Sequence, residues 1–208
     1  MLVFSAHADT NFYVQSLTLK NDGYFGPLDN YVGVFAAMQA FFSGQIQGEH
    51  TRIVLTDHEE TSYQGALELR DQLSPEDMVV VVDVTGIEGD MDFTIEKCAD
   101  PVSRRFVQNA LSGFHYRLFE NSPDPISDSD EVDVYGEKCP HSFFLGIPCL
   151  GGDYNRESVF CRKTSVDAAA RAMIALSRAY AEFRPLKLVP RIQPEDETLA
   201  QRASGAAK

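Results

Sequence analysis

Residues 78–84 (MVVVVDV) constrain the fold more than any other segment of the chain. Five successive apolar residues, four of them valine, predict a β-strand that is buried on both faces. Strands of this kind occur in parallel sheets that helices cover on both sides. The run ends at Asp83. A carboxylate at the end of a core strand must face a polar site, because burying it without a partner is costly.

The rest of the chain alternates between strand and helix patterns. Strand-like runs occur at residues 2–6, 51–56, 93–98, 115–119 and 141–150. Helical spacing of apolar residues occurs at residues 30–43, 63–73, 102–111 and 165–183. The order predicts an α/β fold, a three-layer α/β/α sandwich with a mostly parallel central sheet.

Domain limits follow from length and composition. We expect a single catalytic-type domain over residues 1–184, since 208 residues suit one substantial core. Residues 185–208 are rich in proline and polar side chains and predict a mobile C-terminal tail. The polar segment 121–140 reads as a loop.

The net charge argues against some classes of binding partner, and the cysteines indicate a cellular compartment. The formal net charge is −13, with 31 acidic residues against 18 basic ones, which argues against nucleic acid and anionic membranes as partners. We see no apolar run of the roughly 20 residues that a membrane-spanning helix needs. The four cysteines form no CxxC pair and predict reduced thiols in a cytoplasmic protein.

Polar clusters follow the predicted strands, and ligands of open α/β sheets bind beyond the carboxyl ends of strands. His7 and Asp9 are two residues apart, so the carboxylate can support the imidazole. Asp29 precedes a helix, and Glu59 and Glu60 follow the strand 51–56. Each cluster also has a structural explanation: a His–Asp hydrogen bond, a helix N-cap, or an exposed acidic pair.

The chain order His-x-Asp, Asp, Glu-Glu, Asp resembles that of the co-catalytic dinuclear zinc exopeptidases. This superfamily includes bacterial leucyl aminopeptidases, tetrahedral aminopeptidases and aminoacylase-like carboxypeptidases. The resemblance covers roughly residues 1–183, through SAHADT, GPLDNYVGV, TDHEETSYQGA, VVDVTG, SDSDE and FFLGIPCLGG. HEETSYQGA looks especially like the tetrahedral aminopeptidases. The resemblance implies a zinc-exopeptidase (phosphorylase/hydrolase-like) fold.

The resemblance also implies an activity, the metal-dependent hydrolysis of small peptides or N-acyl amino acids. It implies two zinc ions per chain, with manganese or cobalt as substitutes. The implied ligands are His7, Asp29, Glu60 and Asp83. Of these, His7 and Asp83 would hold one ion, Glu60 the other, and Asp29 would bridge them. Glu59 would be the general base, and Asp9 would support His7.

The sequence departs from the family pattern in two places. The last histidine ligand is missing. Asn155 occupies the corresponding position but asparagine is a poor zinc ligand, and His141 would substitute only if its loop folds inward. Without a substitute the second metal site is weak or absent, which leaves one zinc ion per chain or none. The HxD motif starts at residue 7, where relatives first carry a helix and strands, so the chain reads as a compact variant or a fragment. Dimerisation through a sheet edge or a helix would be one way to cover exposed apolar surface in a homo-oligomer.

Two alternatives to an active enzyme follow from the same residues. The missing histidine favours a catalytically impaired relative that serves as a binding or assembly subunit, whereas the presence of both Glu59 and Glu60 opposes it. A flavodoxin-like binding domain has little support, because GGDYNRES lacks the spacing and the lysine of a phosphate-binding loop.

Overall fold

The computed structural model describes residues 1–13, 16–46, 48–124, 129–151, 154 and 159–187, and only the backbone of residues 184–187. The strands in these ranges are β1 (Leu2–His7), β2 (Thr18–Lys20), β3 (Gly23–Gly26), β4 (Thr51–Thr56), β5 (Met78–Thr85), β6 (Phe93–Glu96), β7 (Tyr116–Leu118), β8 (Phe143–Leu150) and β9 (Val159–Arg162). The helices are α1 (Tyr31–Phe42), α2 (Gln64–Gln72), α3 (Pro101–Ala110), α4 (Glu131–Gly136) and α5 (Lys163–Lys187).

The strands form one mixed sheet with a parallel centre. β4, β1, β5 and β8 lie side by side in that order, and all their pairings are parallel. The other edge of β8 pairs antiparallel with both β6 and β9. Beyond β9, the strands β3 and β2 continue the sheet in antiparallel fashion. The predicted α/β architecture is therefore confirmed, with an antiparallel extension on one side.

Helices cover both faces of the parallel centre. On one face, α1 and α5 pack against each other and against β1, and α3 packs on α5. On the other face, α2 packs against α4, which contacts β5. β5 is buried along its whole length: Val80 and Val82 join the core under α1 and α5, and Val79 and Val81 join the core under α2 and α4. This alternation explains its nearly unbroken run of valines.

Several elements were not predicted. β2 has three exposed residues, and β3 has a glycine at each end, so neither carries a strand signal. α4 lies inside the predicted loop 121–140. It begins with a capping box between Asp130 and Asp133 and buries Val132 and Tyr135. Six residues are too few to show helical periodicity in the sequence.

The C-terminal limit differs from the prediction in one respect. α5 continues to Lys187, three residues beyond the expected domain limit at residue 184. The remaining residues of the predicted tail, 188–208, lie outside the described part of the chain. Among the described residues, every helix is too short or too polar to span a bilayer.

Candidate metal centre

His7 and Asp83 meet because their strands are neighbours. β1 and β5 are parallel, with Ser5 beside Val81, so His7 and Asp83 come next to each other at the carboxyl end of the sheet. Both residues are buried. His7 Nε2 lies 3.1 Å from Asp83 Oδ2 and 3.1 Å from Asp29 Oδ1. A single imidazole nitrogen therefore faces two carboxylates.

Asp29 reaches this point from the start of α1. Asn30, not Asp29, is the N-cap: its Oδ1 accepts a hydrogen bond from the Gly33 amide at 2.9 Å. Asn30 Nδ2 donates to the Val82 carbonyl at 2.9 Å, which ties the start of α1 to β5. The peptide bond between Asp29 and Asn30 is cis. Because Asn30 caps the helix, the carboxylate of Asp29 faces the site.

A tight turn after β4 presents Glu59 and Glu60. The carbonyl of His58 accepts hydrogen bonds from the amides of Ser62 at 3.0 Å and Tyr63 at 2.7 Å. The carboxylate of Asp9 accepts hydrogen bonds from the amides of Glu59 at 3.2 Å and Glu60 at 3.4 Å. The chain after β1 thus holds the turn that follows β4.

Asp9 also lies beside His7, where its Oδ1 is 3.4 Å from His7 Nδ1. The geometry is not that of a hydrogen bond, and His7 Nδ1 has no hydrogen-bond partner among the described residues. The role of Asp9 in supporting His7 stays a prediction. The structure adds the contact with the turn, which the sequence does not show.

Two groups of side chains in the described ranges are compact enough to hold a metal ion. One consists of His7, Asp29 and Asp83, and the other of His7, Glu59 and Glu60. In each group the ligand atoms lie within 4.8 Å of one another. Imidazole nitrogen and carboxylate oxygens are a donor set that suits zinc, manganese or cobalt. The predicted ligands His7, Asp29 and Asp83 thus form one group. Glu60 instead groups with His7 and with Glu59, the residue predicted as the general base, and Asp9 is in neither group.

The protonation of these groups reflects an excess of negative charge. Burial, with the charges of Asp83 and Asp29, raises the pKa of Glu59 to about 8. Burial also raises the pKa of Asp83 to about 7, despite the opposing effect of His7. Burial disfavours the charged form of His7, but Asp83 and Asp29 outweigh it and raise its pKa. A divalent cation would compensate these carboxylates, so the site fits a metal electrostatically as well.

A cavity of about 200 Å³ opens in front of the carboxylates. Asp29, Glu59 and Asp83 are among its lining residues. Sequence reasoning missed other lining residues, among them Tyr63, Glu96, Asp124 and Tyr154. Glu96 is buried and accepts hydrogen bonds from Thr94 at 2.6 Å and Ser122 at 3.0 Å. Only folding brings these residues to the site, so no local pattern marks them.

Glu131 is a second buried acid, the last residue of the SDSDE segment, for which the sequence predicts no role. It begins α4, and its carboxylate accepts hydrogen bonds from Thr56 at 2.7 Å and Ser5 at 3.2 Å. Ser5 also lies 2.8 Å from the hydroxyl of Tyr135. Burial raises the pKa of Glu131 despite these donors. The network joins α4 to β1 and β4 close to the carboxyl ends of these strands. Ser5 and Thr56 lie a few residues before His7 and Glu59 in the chain.

His141, one of the two possible substitutes for the missing histidine, lies apart from the ligand groups. His141 Nδ1 lies 2.8 Å from Asp100 Oδ2, and His141 belongs to neither group. Asp100 is the N-cap of α3, and its pKa is lowered because the hydrogen bonds from Ser103 and His141 outweigh burial. Asn155 lies outside the described residues.

Comparisons with known proteins give matches in structure only. The chain matches no protein-family model and no curated protein sequence. It is similar to aminopeptidase APDkam598 from the archaeon Desulfurococcus kamchatkensis, with a TM-score of 0.66 and 15% identity over 85% of this chain and 55% of that one.

Two further solved structures have the same fold. A TET aminopeptidase from the marine sediment archaeon Thaumarchaeota archaeon SCGC AB-539-E09 gives a TM-score of 0.62 at 17% identity, covering 80% of this chain and 54% of that one. PhTET1-12s, a dodecamer in the asymmetric unit, gives 0.63 at 14% identity, covering 78% and 53%. The chain thus spans about half the length of each. It has the fold of these aminopeptidases, as its resemblance to the co-catalytic zinc exopeptidases implies.

Proposed function

We propose that the chain is a metal-dependent exopeptidase that removes residues from the amino end of small peptides. The observation that carries the proposal is the pair of ligand groups sharing His7, at the carboxyl end of the parallel strands and beside a cavity. The similarity to aminopeptidases in fold supports the reaction class. N-acyl amino acids are the second substrate class that the resemblance implies.

His7, Asp29 and Asp83 would hold the first metal ion. Glu60 would help to hold the second, and the resemblance implies that Asp29 contributes to both. Bound divalent ions supply Lewis acidity, which polarises a carbonyl group and makes water more acidic. Zinc is the expected metal, and manganese or cobalt suits the same donors.

Glu59 would act as the general base. Its carboxylate lines the cavity, and its backbone amide is fixed by Asp9. The pKa of Glu59 is raised in the metal-free site. Bound cations would lower it, so that the carboxylate is ionised and can take a proton from an attacking water near neutral pH. The acidic lining of the cavity also favours a free substrate amine, which would restrict cleavage to the end of a chain.

The first experiment measures bound metal and turnover in the same preparations. After zinc loading and desalting, we expect close to two zinc ions per wild-type chain and a loss of metal in Asp29→Ala. One zinc ion would mean that the second site lacks its last ligand. A wild-type chain without bound zinc would contradict the proposal.

Glu59→Gln then separates metal binding from catalysis. We expect this variant to retain metal and to lose at least about 100-fold in kcat on aminoacyl amide and peptide substrates. Glu137→Gln changes an exposed carboxylate and serves as the matched control. Unchanged turnover in Glu59→Gln would remove Glu59 from the mechanism. Metal binding without hydrolysis in the wild type would instead support a binding or assembly subunit.

We also propose a homo-oligomer, because PhTET1-12s is a dodecamer. Sedimentation of the purified chain tests this, and a monomer at micromolar concentration would contradict it. The cytoplasm stays the expected compartment, since all four cysteines are free thiols.

A further inference from the structure

Cys149 and Cys161 face each other on adjacent strands. Cys149 lies in β8 and Cys161 in β9, and the antiparallel register places them directly opposite each other. Both residues are fully buried, and their side chains are within hydrogen-bonding distance. Directly opposite residues of antiparallel strands have Cα atoms about 4.5 or 5.5 Å apart, within the range that a disulfide spans.

We propose that Cys149 and Cys161 are a modification site, at which a reversible disulfide joins β8 to β9. A small-molecule disulfide would be the oxidant. One cysteine thiolate attacks it and releases one small thiol, and the second cysteine attacks the resulting mixed disulfide and releases another. The two cysteines lose two protons and two electrons, which leave in the two small thiols. One sulfur–sulfur bond breaks in the oxidant and one forms in the protein.

The position of the pair gives the bond a structural consequence. The chain between the two cysteines carries Tyr154, which lines the cavity of the candidate metal centre. A disulfide would join the two ends of this connection covalently. The residues between Cys149 and Cys161 would then form a closed loop. The inference concerns thiol chemistry alone, so it does not depend on the proposed peptidase activity.

Burial makes the reaction slow. The hydrogen bond with Cys161 and burial raise the pKa of the Cys149 thiol, so little reactive thiolate is present near neutral pH. Oxidation therefore requires local opening of the strand pair. In a reducing compartment both residues would stay thiols until the concentration of small disulfides rises.

The other two cysteines provide an internal control. Cys98 lies in the core under α1 and α5, and Cys139 lies in the core under α2 and α4. The sheet separates them, so they have no route to a mutual disulfide without unfolding. A Cys98→Ala/Cys139→Ala variant consequently retains only the proposed pair.

The test exposes the full-length chain to oxidised glutathione and then counts thiols after denaturation. We expect the wild type and the Cys98→Ala/Cys139→Ala variant each to lose two thiols, with mass spectrometry showing a Cys149–Cys161 link. Cys139 and Cys149 lie in the same tryptic peptide, so in the wild type a link from this peptide to Cys161 could come from either cysteine. The double variant lacks Cys139 and therefore identifies the link. Oxidation should also raise the unfolding temperature by roughly 5 °C, and dithiothreitol should reverse the rise.

Cys161→Ala and Cys149→Ser should each lose the ability to form an internal disulfide, and either variant suffices if the other fails to fold. Full retention of thiols in the double variant after prolonged exposure would overturn the proposal. Glutathione adducts in place of an internal link, or a link to another cysteine, would overturn it as well.

Discussion

At the scale of single residues, Asp9 contacts both ligand groups of the proposed metal centre without belonging to either of them. Its carboxylate accepts hydrogen bonds from the amides of Glu59 and Glu60 and lies 3.4 Å from His7 Nδ1. Two strand ends are thereby held at a fixed separation. A residue with this position affects metal affinity through the geometry of the residues around it.

Asp9→Asn should weaken zinc binding about 10- to 100-fold, the usual effect of losing a partner that orients metal ligands. The two carboxylate oxygens of Asp9 each accept a hydrogen bond from a backbone amide, of Glu59 and of Glu60. Asparagine has only one acceptor oxygen, so its NH2 group would face one of these amides and that hydrogen bond would be lost. Competition with a chelator measures the affinity. Asp57→Asn, at an exposed carboxylate in the same turn region, is the control and should bind zinc as the wild type does. Equal affinity in both variants would show that the turn is held without Asp9.

At the scale of secondary structure elements, the start of α1 packs against β5 with almost no free space. A Cβ atom at Gly33 would meet Asn30 Oδ1 and would lie 2.6 Å from the Val82 carbonyl oxygen. Glycine is therefore required here for the close approach of the helix. The same contact positions Asp29 over His7, so the packing of α1 and the geometry of the site are coupled.

Gly33→Ala should lower the free energy of unfolding by about 2–4 kcal/mol, because it overpacks this contact and disturbs the Asn30 cap. Zinc affinity should fall in parallel as Asp29 moves. Urea unfolding and zinc titration measure the two effects. Gly113→Ala is the matched control: a Cβ atom there meets open space, so a change within about 0.5 kcal/mol is expected. Normal zinc binding by Gly33→Ala would refute the coupling.

At the scale of the whole molecule, we expect the buried acids to make stability depend on pH and, through the proposed metal centre, on bound metal. In the metal-free chain the pKa values of Glu59, about 8, and Asp83, about 7, are above their unfolded values of roughly 4. The native state then binds more protons than the unfolded state between about pH 4 and pH 8. These two groups therefore make the metal-free protein less stable as the pH rises through this range. Metal binding has the opposite dependence, because its ligands must be deprotonated.

We expect the metal-free protein to be less stable at pH 8 than at pH 6 by on the order of 3–4 kcal/mol. Saturating zinc should raise the unfolding temperature more at pH 8 than at pH 6. Asp83→Asn should lose the zinc effect and be more stable than the wild type when both are metal-free at pH 8. Calorimetry at pH 6 and pH 8, each with and without zinc, checks this, and Glu137→Gln, at an exposed carboxylate, is the control. Stability that rises with pH in the metal-free protein would contradict the expected protonation.

The sequence by itself determined the parallel centre of the fold and the main candidate residues of the site. The valine run of β5, the strand ending at His7 and the acidic pair after β4 are local patterns, and strand ends converge in any parallel sheet. Tertiary structure alone decided which side chain caps α1, how Asp9 holds the turn, and where α4 places Glu131. It also brought Cys149 opposite Cys161. These features depend on contacts between residues distant in the chain, whose geometry no local pattern encodes.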